Sequence, residues 1–332
     1  MNFPGATADC IRGAILGVAN IIPGVSGGTL ALILGIYERF IRSIQSIGFK
    51  SIRYAFRALT FRPAAWKELK VHLDDIDFFF LMRIALGALA AIILLAKLMT
   101  WLLETHHDMT YGFFFGLVFM SFIPPFLTIR NRRRFSIYGV ILLSALGVIL
   151  LSMAVSPEDL IQRAEARELI RQEASGNAQP ERTGMIMEKA KVFLSGSLAI
   201  SAMILPGISG SFLLLLLGSY FDILEAIATR DLLTIGIFAL GCLAGVILFS
   251  RLLHFLLERF HDITMSFLAG LVAGSLWLVW PFKATVTVGS ETVYLYNIIP
   301  ALETGTLFTL ATMAAGALLV AVMIRFERRR TT

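Results

Sequence analysis

Ser26, Thr29, Ser209 and Ser211 are the hydroxyl-bearing residues of a phrase that the chain uses twice. Pro23-Gly24-Val25-Ser26-Gly27-Gly28 returns as Pro206-Gly207-Ile208-Ser209-Gly210-Ser211. Gly35 and Tyr37 return as Gly218 and Tyr220 at the same offset of 183 residues. Proline lacks an N–H donor and stops the helix that precedes it. The glycines let the chain turn and let a ligand or another backbone come close. A helix restarting at Ser26 points the amide N–H groups of residues 26–29 into the break, where those donors and the helix dipole favour an anion. Phosphate is the natural guest. The candidates for binding it are Gly24, Ser26, Gly27, Gly28 and Thr29 in the first copy, and Gly207, Ser209, Gly210 and Ser211 in the second. Small residues also allow close helix packing, but packing alone does not call for proline followed by serine.

Three cations join the candidate phosphate-binding set because charged residues inside apolar spans are costly and mark function by default. Lys97 and Arg251 occupy matching places in two related segments. Arg83 follows Asp74, Asp75 and Asp77 and has no counterpart, since position 237 is Ile. The competing roles are snorkelling for Lys97 and Arg251, and anchoring of a helix end for Arg83. Glu38, about 18 Å along a helix from Ser26, pairs with Arg39 or Arg42 or relays a proton. His107-Asp108 and His261-Asp262 fall in short turns at opposite membrane faces. They are candidates for proton coupling because histidine titrates near neutral pH. The simpler reading is that Asp108 and Asp262 cap the helices that follow. The two pairs lie too far from other ligands to form a metal site, and no cofactor is expected.

The elements that must carry these residues are membrane helices. Of the 332 residues 57% are hydrophobic and only 16% charged, with a mean hydropathy of +0.78, whereas soluble domains carry roughly a quarter charged residues. The expected class is an all-α polytopic membrane protein. Six apolar stretches are long enough to span a bilayer: about 77–104, 109–128, 135–154, 232–257, 264–281 and 300–324. Two further segments, 11–41 and 193–224, hold the Pro-Gly phrase in their middles. The net charge of +6 does not indicate nucleic acid, because the basic residues flank apolar spans as topology requires. Cys10 and Cys242 form neither a disulfide framework nor a metal site. No basic stretch precedes the first apolar run, so no cleaved leader is expected.

Charge sets the expected topology. If both Pro-Gly segments are re-entrant, the basic runs 39–70, 130–134 and 325–330 share the cytoplasmic side with both termini. A second offset, 154 residues, relates Gly87 to Gly241, Lys97 to Arg251, Glu104 to Glu258, His107-Asp108 to His261-Asp262, Thr110 to Thr264 and Gly116 to Gly270. Each half is then one re-entrant broken-helix hairpin plus three transmembrane helices. Three is odd, so the halves form an inverted repeat. The first repeat is 1–155, the external polar linker 156–190 and the second repeat 191–332. The two offsets differ because the first half has an insertion within 42–76. Its mixture of Arg53, Tyr54, Phe56, Arg57, Trp66 and Lys67 suits either a helix on an anionic leaflet or a cytoplasmic loop. Within the linker, Ser156-Pro157-Glu158 reads as a helix start and Gly176-Asn177 as a stop.

The stretch from Gly17 to Thr29, followed by Gly35-Ile36-Tyr37-Glu38, resembles the signature of a bacterial family once defined only as a domain of unknown function, the PopT-type polyprenyl-phosphate transporters. The likeness runs from about 10 to 325. It implies a lipid flippase that returns undecaprenyl phosphate from the outer to the inner leaflet of the cytoplasmic membrane for peptidoglycan synthesis. It carries over to Pro23–Thr29 and Glu38. The second copy departs from the pattern at Ser211, Phe212 and Phe221. The implied partners are the polyprenyl-phosphate lipid and the bilayer, with homo-oligomerisation left open. Undecaprenyl-pyrophosphate phosphatases are similar in design, but their motif has arginine where Gly27 stands, and Ser26 has no obvious neighbouring base. An ion-coupled carrier of small anions is the other alternative.

Overall fold

The computed structural model describes residues 5–21, 27–153, 158, 161, 187–288, 291–301 and 303–331. Its helices are α1 (Gly5–Ile21), α2 (Gly27–Ile33), α3 (Tyr37–Gln45), α4 (Phe49–Ala58), α5 (Pro63–Asp75), α6 (Phe78–Thr105), α7 (His107–Ser121), α8 (Ile123–Thr128) and α9 (Phe135–Met153), followed by α10 (Met187–Ile204), α11 (Gly210–Leu216), α12 (Tyr220–Ala228), α13 (Leu232–Arg259), α14 (His261–Leu278) and α15 (Thr304–Thr331). Two strands, β1 (Lys283–Val288) and β2 (Glu291–Asn297), form an antiparallel ribbon before α15. Among the described residues, five stretches are long and apolar enough to cross a membrane: Phe78–Leu95, His107–Thr128, Phe135–Met153, Leu232–Arg259 and Thr304–Arg325. The other expected span, 264–281, falls on α14. Its eighteen residues begin with His261 and Asp262 and include Thr264, Ser266 and Ser275, which are buried.

Four helix pairs make the main contacts: α1 with α6, α10 with α13, α7 with α15, and α9 with α14. Glycine decides how close they come. A Cβ on Gly87 of α6 would sit 2.0 Å from the Cys10 carbonyl oxygen, and one on Gly241 of α13 would sit 2.1 Å from that of Phe193. Likewise a Cβ on Gly116 would meet the Met313 carbonyl at 1.9 Å, and one on Gly270 the Ile141 carbonyl at 2.4 Å. The sequence repeat is thus also a repeat of backbone-to-backbone crossings, the contact that small residues permit in membranes.

The turns repeat too. Gly35 and Gly218 adopt φ of +64° and +65°, the left-handed conformation that ends a helix at low cost in glycine. His106 and Phe260, which join consecutive long helices, have nearly the same backbone angles. There the expected aspartate caps are not found: neither α7 nor α14 has a side-chain cap. Threonine makes the tie instead. The Thr110 hydroxyl reaches the carbonyls of Leu102 and His106, and the Thr264 hydroxyl those of Leu256 and Phe260. A threonine one turn into the helix reaches back to carbonyls at the joint that also accept a backbone N–H, leaving Asp108 and Asp262 for other partners.

The insertion forms two helices, α4 and α5, packed against each other. Ser51 and His72 join them at 2.9 Å, and Tyr54 lies against the His72 ring. The linker elements expected at 156 and 176–177 lie outside the described residues. The β-ribbon was not anticipated. Its sequence signal, alternating Thr-Val before Gly289-Ser290 and alternating apolar residues after, is one that marks hairpins. Lys283 in β1 donates to Asn297 of β2 at 3.1 Å, and burial pushes its ammonium pKa down to about 8.

Candidate functional site: an interrupted helix met by the start of α2

The second Pro-Gly segment is interrupted, and the first lies between two described helices. The first helix ends at Ile21 and the next begins at Gly27; the residues between, which include Gly24 and Ser26, lie outside the described set. The second break is described throughout. The α10 helix ends at Ile204, one residue before the position that Pro206 bars from helix. Gly207 then turns at φ +82°, where a Cβ would lie 2.5 Å from the Leu271 carbonyl of α14. This position needs glycine for both its conformation and its clearance. From Gly210 the chain resumes as α11, close enough to α10 that a Cβ on Gly210 would touch Met203 and the Ala199 carbonyl.

The start of α2 meets this break. A Cβ on Gly28 would sit 2.5 Å from the Ile204 carbonyl and 3.1 Å from the Pro206 nitrogen. The Gly207 N–H donates to the Thr29 hydroxyl at 3.2 Å, and Thr29 is fully buried. Tyr37, also buried, donates its hydroxyl to the Ile204 carbonyl at 3.2 Å. Each contact answers a physical demand, because a buried backbone donor or acceptor left without a partner costs about 1–3 kcal/mol. The groups exposed where α10 ends are satisfied by residues 167 and 178 positions away in sequence. Tyr37 was not among the expected site residues. Its recurrence as Tyr220 in the same register was the available signal.

Of the expected phosphate-binding residues, the structure brings together Gly28, Thr29 and Gly207, with Gly27, Ser209 and Gly210 beside them in chain. The side chain of Ser211 lies outside the described set. The three cations go elsewhere. Arg83 binds Asp9 of α1 at 3.2 Å. Asp9 is buried and also holds Arg12 at 3.2 Å, with Arg39 at 3.9 Å. Arg39 in turn chelates Asp77 through two bonds of 2.6 and 2.9 Å and lies over the Phe80 ring. This group of three arginines and two aspartates sits about 18 Å along α1 from the break. Asp9 gave no sequence signal beyond being an acidic residue near an apolar run. Arg251 is exposed on α13 near Gly48, and Lys97 is exposed on α6.

The proton candidates separate into two places. Glu38 lies 3.7 Å from His261, not beside Arg39 or Arg42, and His261 lies 3.4 Å from Asp262. Asp262 accepts the backbone N–H groups of Arg130 and Asn131 at 3.0 Å each. Those bonds, the one from Arg130 foremost, hold its carboxyl below the usual range. In the other pair, His107 touches Asp108 at 3.1 Å, and its ring is stacked between Tyr111 and Tyr294 of the β-ribbon.

Residues 16–297 match the family described as undecaprenyl phosphate translocase-like. The chain belongs to this family. A polyprenyl-phosphate transporter of Vibrio cholerae is 34% identical over 282 residues, 83% of this chain and 78% of that protein. A second protein of that name, from Staphylococcus aureus, is 30% identical over 280 residues, 82% of this chain and 85% of its own length. No solved structure matches the chain. Membership and the spanning helices make this a multi-pass membrane protein of a transporter family.

Proposed function

We propose that this protein is a flippase for undecaprenyl phosphate, returning the lipid from the outer to the inner leaflet of the bacterial cytoplasmic membrane for reuse in envelope synthesis. In this reading the halves form an inverted repeat. Each has one re-entrant hairpin and three spans, and both termini are cytoplasmic. The hairpins enter from opposite leaflets and their tips shield the phosphate, which hydrocarbon would otherwise reject. Rocking of one half against the other exposes the junction to each leaflet in turn. The observation that carries the proposal is the seating of Gly28 and Thr29, at the start of α2, against the second break at Ile204–Gly207. Interrupted backbone at membrane depth is tolerated only inside protein or beside water, and a packing role alone would not require α10 to stop there.

The remaining candidates take subordinate roles. Glu38 and His261 join the segment after the first break to the start of α14, and a proton taken up there would alter the link between halves. Helices α4 and α5 and the turn between them expose Phe56, Phe61 and Trp66 next to Arg57 and Lys67, a composition that suits the anionic inner leaflet. Family membership and the names of the relatives favour transport over hydrolysis.

Reconstitution tests the proposal. Liposomes containing the full-length protein should move labelled undecaprenyl phosphate between leaflets, with and without a proton gradient revealing any coupling. Vesicles that move the lipid no faster than protein-free ones would refute it, and release of phosphate from undecaprenyl pyrophosphate would restore the enzyme reading.

A further inference from the structure

An elongated chamber of about 600 Å³ lies between α1, α2, α6, α7 and α15. Its walls include Leu30 and Ile33 of α2, Phe113 and Leu117 of α7, and Leu319 and Met323 of α15. It runs along α15 from Thr312 to Met323, eleven residues or about 17 Å. We infer that this chamber takes a segment of the isoprenoid tail of the lipid whose headgroup is handled at the breaks, an inference that rests on the transport reading above.

Three observations carry it. The first is chemistry. Among the described residues that line the chamber none is an acid, lysine or arginine, His106 is the one titratable side chain, and the threonines turn their hydroxyls to backbone: Thr110 to Leu102 and His106, and Thr312 to Met109 and Thr309. A small anion or a sugar would find little there to replace its hydration. The second is shape. A long, narrow apolar space suits a chain, and Met99, Met109 and Met323 give it walls that adapt to a branched, irregular guest. Its volume falls within the usual range for small-molecule sites, roughly 300–1,000 Å³, so it takes part of a long polyprenyl chain and leaves the rest in the bilayer. The third is continuity. Thr29 meets the second break, and the next residue, Leu30, already lines the chamber. One helix thus presents a polar end to the junction and an apolar face to the chamber, the same order as head and tail in a lipid phosphate.

A phospholipid acyl chain shares this chemistry, so the test separates the two sources. Full-length protein in phosphatidylglycerol-containing vesicles is irradiated with a polyprenyl phosphate carrying a diazirine in its tail. Label is expected within Leu30–Leu34, Phe113–Leu117 and Leu319–Met323, displaced by undecaprenyl phosphate but not by added phosphatidylglycerol. Label confined to exposed Leu142 and Leu143 of α9, or equal displacement by both lipids, would overturn the inference. Leu319→Trp fills the chamber from a half-exposed position and should cut labelling at least tenfold, whereas Leu143→Trp should not change it. Met323→Trp serves if the first variant does not fold, and full labelling of a folded filled variant would overturn the inference. Flipping measured on the same vesicles separates the two readings. Transport with an unlabelled chamber removes the tail site alone. A labelled chamber without transport removes the flippase reading and leaves the site standing.

Discussion

In the first half of the chain, Gly87 lets α6 press on α1 at Cys10, and Asp9, one residue earlier, is buried among Arg12, Arg39 and Arg83. In the second half, Gly241 lets α13 press on α10 at Phe193, but the charges are gone. Val192 stands for Asp9, Ser195 for Arg12 and Ile237 for Arg83, while Asp222 replaces Arg39 with the opposite sign. Ser195 instead shares a buried hydrogen bond of 2.8 Å with Ser219, and Lys191 reaches Asp222 at 3.3 Å with both side chains about half exposed. What sets the distance between backbones is common to the two segments; the polar chemistry is not. The start of α1 is pinned by a charge network, whereas the start of α10 is held by hydroxyls and a solvated pair. The two helices are thus held by ties of different strength and different response to charge.

Breaking the shared part should cost most. Gly116→Leu and Gly270→Leu each drive a side chain into a backbone carbonyl and should destabilise by about 3 kcal/mol or more. Gly147→Leu, where nothing lies within 4 Å, should be neutral; thermal melting in detergent measures all three. Unequal losses at Gly116 and Gly270 would show that the crossings are not equivalent. The divergent part comes next. Asp9→Asn leaves three arginines around a buried site and should cost about 2 kcal/mol, moderated because the arginines are partly exposed. Lys191→Met should cost under about 1 kcal/mol. Equal effects would erase the distinction between the two ends. At the junction, Thr29→Val removes the acceptor for the Gly207 N–H at nearly constant volume and should cost about 1–2 kcal/mol. Transport should fall with it.

The last effect lies in the β-ribbon, away from the spanning helices. Lys283 has a folded pKa near 8 against an ordinary 10.5. Between those values the unfolded chain binds a proton that the folded chain does not, so this lysine makes stability rise with pH from about 8 to about 10.5. Below 8 both states are protonated and the burial penalty is full. Lys283→Met should therefore raise the melting temperature at pH 7 and flatten the dependence above 8. An unchanged slope would place the ammonium in solvent.

Much of this was legible in the chain because its signals are local and repeated. Proline and glycine mark where helices stop, and the offset of 154 residues relates Gly87 to Gly241 and Gly116 to Gly270 without saying that they are crossing points. What could not be read was pairing across long separations. Nothing in the neighbourhood of Tyr37 says that it serves Ile204, or that Arg83 serves Asp9 rather than a ligand, because apolar spans carry no code for which charge meets which. Asp108 and Asp262 stood in good capping positions, yet Thr110 and Thr264 make the ties, since a hydroxyl one turn in reaches two carbonyls at once. The β-ribbon had a signal, alternation around Gly289-Ser290, that was overshadowed by the hydropathy on either side.

The central claim is that the two interruptions act together on a lipid headgroup. Its most direct test is the rate of undecaprenyl phosphate flipping in proteoliposomes by the Ser26→Ala, Ser209→Ala double variant, matched to the native protein for abundance and melting temperature. The account predicts at least a tenfold loss of flipping with the fold intact. Flipping at the native rate would contradict it.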